Sequence, residues 1–165
     1  MDILGVCHLM CRLEHVDSFL TKRYPNGIES MVIEIPSNRE ELAPYTNPSF
    51  FEILSDRFEE KGTKVINGDI SRPIPAWIKK AVDYCQSDKA TLPEKLACYV
   101  GIAIPYNAYT KAYYGLYDGF ISHKRDKHFE EVIREVNPQI VLVGDAHARV
   151  LRKKFKDATY VRVPI

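Results

Sequence analysis

Short apolar runs recur along the chain, separated by segments with a helical period. Ile3 to Cys7 form an apolar run ending at His8, as a strand buried on both faces would. From Arg12 to Arg23 the apolar positions change spacing, and Leu13, Val16, Phe19 and Leu20 share one helical face until Pro25-Asn26-Gly27 stops the helix. Met31 to Ile35 is a second strand, followed by Pro36 and a polar turn. Phe50, Ile53, Leu54 and Phe58 then mark the apolar stripe of a helix, and Lys64 to Asn67 a third strand.

The later part repeats the alternation. Helices are expected over Trp77–Tyr84, Pro93–Val100, Lys127–Val136 and Ala146–Phe155. Gln139 to Val143 reads as a buried strand and Tyr160 to Val163 as an alternating edge strand. Gly101 to Pro105 fits either a strand or a buried turn. The tyrosines after it, Tyr106, Tyr109, Tyr113, Tyr114 and Tyr117, suit either a ligand cleft or helix packing onto a sheet. Strands alternating with helices predict an α/β fold, a mostly parallel or mixed central sheet flanked by helices. With 165 residues and no repeat or long linker, residues 1–165 are expected to form a single domain.

Composition narrows the partners. Lys plus Arg number 23 against 22 Asp plus Glu, so no global field favours nucleic acid or an anionic membrane. The basic run Arg152-Lys153-Lys154-Phe155-Lys156 reads as a solvated helix end. The four cysteines make no paired CxxC pattern, the opening lacks a signal-like segment, and no apolar run has membrane-spanning length. These features lead to an expectation of a cytoplasmic protein without a nucleic-acid or membrane partner. P-loop, dinucleotide-binding, zincin and serine-hydrolase motifs are missing. Cys7 and Cys11 form a weak thiolate metal pattern, and His123 and His128 are wrongly spaced for an i,i+4 ligand pair.

The chemistry gathers at strand ends. Gly5-Val6-Cys7-His8 and Gly144-Asp145-Ala146-His147 both read GxxH. In parallel strands both histidines would lie beyond the carboxyl ends of one sheet, where open α/β folds form ligand sites. Glu34 is a carboxylate inside a strongly apolar run, and burying it requires a cation, a metal or hydrogen-bond donors. His8, Glu34 and His147 together could hold a divalent ion such as Mn, Zn or Co and leave positions for water and substrate. Asp145 is then the nearest candidate for a base or a histidine partner, with Asp69 the weaker one. Two alternatives stay open: Glu34 in a structural ion pair with Arg39 or Arg125, and Asp145 as a helix cap.

These elements also resemble a known family. ILGVCH and IVLVGDAH resemble the two strand-plus-GxxH elements of the TraB/Tiki superfamily, which is linked to the erythromycin-esterase and ChaN-like group. MVIEIPSNREEL resembles its strand with glutamate and downstream arginine, and HKRDKHFEEVI its Arg-Asp-containing helix. The resemblance implies a shared α/β fold and, from Tiki-type relatives, metal-dependent proteolysis. It puts His8 and His147 at the two motif histidines, Glu34 at the essential acid, and Arg39, Arg125 and Asp126 at supporting polar positions. The expected activity is a metal-dependent hydrolase acting on an amide or peptide bond of a small-molecule or peptide substrate. The rivals are a noncatalytic small-molecule or protein-binding domain of the same fold and a structural homo-oligomer using its aromatic surface.

Overall fold

The computed structural model describes residues 1–7, 11–43, 48–72, 74–87, 89–97 and 124–164. The chain divides into two compact units. The first comprises Met1–Ser37, Pro48–Ile70 and Lys124–Ile165, and the second Asn38–Asn47 and Ser71–His123.

The first unit is built on a sheet of five parallel strands, β1 (Asp2–Val6), β2 (Ser30–Pro36), β3 (Lys64–Asp69), β4 (Ile140–Gly144) and β5 (Thr159–Arg162), in the order β3-β2-β4-β1-β5. The central strands are apolar on both faces because both faces are covered, which is the usual condition of parallel strands. Leu4, Val6, Met31, Ile33, Ile35, Ile140 and Leu142 point to one face. There they pack with Val16 and Leu20 of α1 (Leu13–Arg23) and with Phe51, Leu54 and Phe58 of α3 (Phe50–Glu60). Ile3, Val32, Val141 and Val143 point to the other face. They meet Phe129 and Ile133 of α5 (residues 124–136) and Ala148 and Leu151 of α6 (Asp145–Lys154).

Local chemistry sets the helix limits. Ser49 and Glu52 exchange hydrogen bonds with each other's backbone in a capping box that starts α3. After its last turn, Gly62 takes φ +85°, a left-handed conformation that glycine adopts without steric cost. The strand ends extend beyond the apolar run in β3, which continues through the polar residues Asn67, Gly68 and Asp69. Pairing with β2, rather than hydrophobicity, carries it that far.

The second unit holds α2 (Arg39–Leu42), α4 (Ala76–Gln86) and a short helical segment over 92–97. A polar turn is expected after Pro36, but Arg39 to Leu42 form a helical turn with Leu42 buried. The Asn38 side chain supports it by donating to the Arg72 carbonyl and accepting from the Arg72 amide, both at 2.8 Å. The expected strand or turn at 101–105 and the tyrosine-rich stretch lie outside the described residues. Among the described residues, no helix is long and apolar enough to cross a membrane.

The helix layers determine where a ligand can sit. β2 leads towards α3 on one face, while its neighbour β4 leads into α6 on the other. Such a divergence leaves a crevice beyond the carboxyl ends of the two strands.

Candidate functional site

Glu34 is the first residue on β2 to break the apolar pattern on the face shared with α5 and α6. It follows Val32 on that face, whereas Ile33 and Ile35 turn to α1 and α3. Its Oε2 accepts a hydrogen bond from the Gly144 amide at 2.6 Å, at the start of α6. The helix-start dipole and the amide donor both favour a carboxylate there. Its Oε1 accepts from Arg125 Nη2 at 2.9 Å.

Arg125 is held chiefly from its other side. Nε donates to Asp69 Oδ1 at 2.8 Å and Nη2 to Asp69 Oδ2 at 2.6 Å, the fork geometry that makes arginine–carboxylate pairs strong. Asp69 ends β3 with 1% of its surface exposed, and its Oδ1 also accepts from the Ile70 amide. Burial by itself pulls the Arg125 pKa down. The Asp69 hydrogen bonds, with the charges of Asp69 and Glu34, more than reverse this and raise it above its ordinary value.

His147 completes the group. Asp126 Oδ1 lies 2.7 Å from its Nδ1, while its Nε2 faces Glu34 Oε1 at 3.7 Å. With Nδ1 donating to Asp126, Nε2 is the nitrogen that faces Glu34. This is how a carboxylate orients a metal-binding or proton-accepting imidazole.

A glycine and an aromatic ring position α5. A Cβ on Gly68 would come within 2.5 Å of Val32 Cγ1 and 2.8 Å of Phe129 Cε1, so only glycine lets Phe129 sit directly on the sheet. Phe129 follows Arg125 and Asp126 by one helical turn, and its ring centroid is 5.6 Å from that of His147. Its burial therefore fixes the helix that delivers both polar side chains.

The sequence-derived residues meet different fates. Glu34, Arg125, Asp126 and His147 come together. Of the two ion-pair partners open to Glu34, Arg125 is in contact, while Arg39 begins α2 in the second unit. His8 lies outside the described residues. Asp145 is not brought to His147: its carboxylate accepts from Tyr160 Oη at 2.7 Å and Arg149 Nη2 at 2.7 Å, with Arg162 Nε at 3.8 Å. Nor is it the cap of α6, since Gly144 occupies that position. The Cys11 thiol turns to the Pro164 carbonyl at 3.7 Å. Asp69 is the residue that sequence reasoning undervalued. A carboxylate directly after Gly68 at a strand end was its only signal.

Two donors, His147 Nε2 and Glu34 Oε1, have a spacing compatible with sharing one divalent ion. Among the described residues, Glu34 and Asp69 contact the Arg125 guanidinium and Asp126 contacts His147, so three carboxylates stand with one guanidinium, a surplus of two negative charges when His147 is neutral. Ligands each about 2.0–2.2 Å from one ion lie roughly 3–4 Å apart, and His147 Nε2 and Glu34 Oε1 are 3.7 Å apart. Among the described residues, no three His, Cys, Asp or Glu side chains converge as a complete metal-binding group.

Fold and site thus define a parallel α/β protein with a largely buried His–Asp–Glu–Arg cluster at the carboxyl ends of β2 and β3 and the starts of α5 and α6. No protein-family model, curated protein or solved structure matches the chain. The TraB/Tiki resemblance therefore rests on the motif residues alone.

Proposed function

We propose that the protein is a metal-dependent hydrolase of amide or peptide bonds, with His147 and Glu34 holding the ion. The observation that carries this reading is the Asp126–His147 pair at 2.7 Å, whose Nε2 faces a buried carboxylate at a parallel-sheet crevice. The bond class comes from the TraB/Tiki resemblance.

A bound divalent ion would supply Lewis acidity, polarising the scissile carbonyl and making water a stronger nucleophile at neutral pH. Asp126 holds the Nδ1 side of His147 and so fixes the ring with Nε2 as the nitrogen that faces Glu34. The Gly144 amide and Arg125 hold the two Glu34 oxygens from opposite sides, fixing the carboxylate plane. Each of those oxygens retains a lone pair, enough for one to face an ion or accept a proton.

A specific observation favours the rival reading, a noncatalytic binding domain: both Glu34 oxygens already have donors, as in a purely structural ion pair. Hydrolysis of a mixed peptide pool, with Mn²⁺, Zn²⁺ or Co²⁺ supplied in turn, separates the two. The hydrolase reading expects cleavage that depends on the ion and disappears in folded His147→Ala protein. Equal cleavage by that variant would remove His147 from the site, and no cleavage by wild type with any of the three ions would favour the rival.

A further inference from the structure

We infer that Asp69 is a positioning residue that takes up the charge of Arg125 and so keeps Glu34 available to a cation shared with His147. This rests on the reading of Glu34 and His147 as ion-holding residues.

The hydrogen bonds around Arg125 are unequal. Asp69 receives two of them, at 2.8 and 2.6 Å, and Glu34 one, at 2.9 Å. Nη2 serves both acids, one N–H each, so Arg125 bridges them instead of belonging to Glu34. Among the described residues, the Asp69 carboxylate meets Arg125 and the Ile70 amide and does not reach His147, which leaves it no evident role except through the guanidinium.

Charge arithmetic shows what that role does. With Asp69 ionised, Arg125 is neutralised by a partner outside the ion-holding pair, and Glu34 keeps its negative charge for the His147 side. If Asp69 were uncharged, Glu34 would become the counter-ion of Arg125 and the surplus negative charge of the cluster would fall by one. Fixed charges act strongly here because the side chains of Arg125, Glu34 and Asp69 are only 11%, 12% and 2% exposed. A simple strut between β3 and α5 could use the same bonds, but it predicts a different mutational pattern.

The test is Zn²⁺ affinity, measured by calorimetry on wild type, Asp69→Asn and Asp69→Asn/Arg125→Gln, with folding checked by thermal melts. Removing the Asp69 charge should weaken binding roughly 10- to 100-fold, the usual effect of losing a residue that supports a metal ligand. The double variant restores the original charge surplus and should recover most of that loss. A strut predicts no recovery, since the double variant also lacks the link. Wild-type affinity in Asp69→Asn, or a folded double variant as weak as the single one, would overturn the inference and leave the hydrolase reading standing. No uptake by wild type would instead remove the reading itself and the inference with it. If Asp69→Asn alone does not fold, the double variant decides: because it also loses the Arg125 hold on Glu34, binding up to about tenfold weaker than wild type is expected, and a greater loss would overturn the inference.

Discussion

The turn from β4 into α6 carries two titratable residues whose surroundings differ sharply. Asp145 and His147 are two positions apart, and about 200° of helical rotation sends their side chains different ways. Asp145, as little exposed as His147, meets Tyr160, Arg149 and Arg162, and the two arginine side chains are 64% and 52% exposed. One carboxylate there faces two guanidiniums in water. His147 meets Asp126, Glu34 and Phe129 in a largely buried cluster where, among the described residues, acids outnumber bases. Residue types are similar in the two groups, but the guanidiniums beside Asp145 lie in solvent, whereas the Arg125 side chain beside Glu34 is 11% exposed. The difference points to the buried group as the place where a cation would be bound, and to the exposed group as ordinary surface pairing.

The strongest way to break this contrast is Arg125→Ala, which leaves Asp69 and Glu34 facing each other without their shared cation. Removing one partner of a buried pair typically costs about 3–5 kcal/mol. For a chain of this size that is a fall of roughly 6–20 °C in melting temperature. A drop of only a degree or two in a calorimetric scan would mean that the cluster is not electrostatically buried.

Gly68→Ala tests the packing beneath the site. Its Cβ would press on Val32 and Phe129, and overpacking of this kind costs about 1–3 kcal/mol. Displacing α5 should also weaken ion uptake, even though the new methyl group touches none of the charged side chains. Unchanged denaturant midpoints would show that Phe129 is not the anchor of that helix.

Asp145→Asn should have a smaller effect, below about 1 kcal/mol at neutral pH, because exposed pairs are screened. The hydrogen bond from Tyr160 is the leading cause that lowers the Asp145 pKa below the ordinary 3.8, with Arg149 adding to it and burial opposing. A lowered pKa means the contribution is present above the ordinary value and is lost as pH falls through the lowered one. The gap between wild type and variant should therefore close in acid, as read by denaturant titrations at pH 7 and pH 2.5. A gap that widens in acid would reverse the assignment.

The smallest effect concerns the far end of the sheet. Burial, followed by the hydrogen bond to Asp2, raises the Tyr24 pKa to about 12. Its contribution is complete below the ordinary value of 10.0 and is lost as pH rises through about 12. Absorbance of the phenolate should show a late-titrating component that Tyr24→Phe removes. Its persistence in the variant would assign it to another tyrosine.

The legibility of the sequence follows the same physics. β1, β2 and β4 were readable because strands covered on both faces become continuous apolar runs, and the carboxylate inside one of those runs made Glu34 conspicuous. The identity of its cation was not readable. Arg39 is closer in sequence, but Arg125 stands on the helix packed over the face where Glu34 points. Asp145 was drawn towards His147 by adjacency, whereas helical rotation separates them. Asp69 was nearly invisible because a bidentate bond between the end of β3 and the start of α5 leaves no local pattern in either segment.

The most direct test of the account is divalent-ion titration of ion-free wild type beside folded Glu34→Gln and His147→Ala proteins. Stoichiometric uptake of Mn²⁺, Zn²⁺ or Co²⁺ by wild type, lost or greatly weakened in both variants, is the result expected. Equal uptake by all three proteins, or none by wild type, would contradict a cation site at His147 and Glu34.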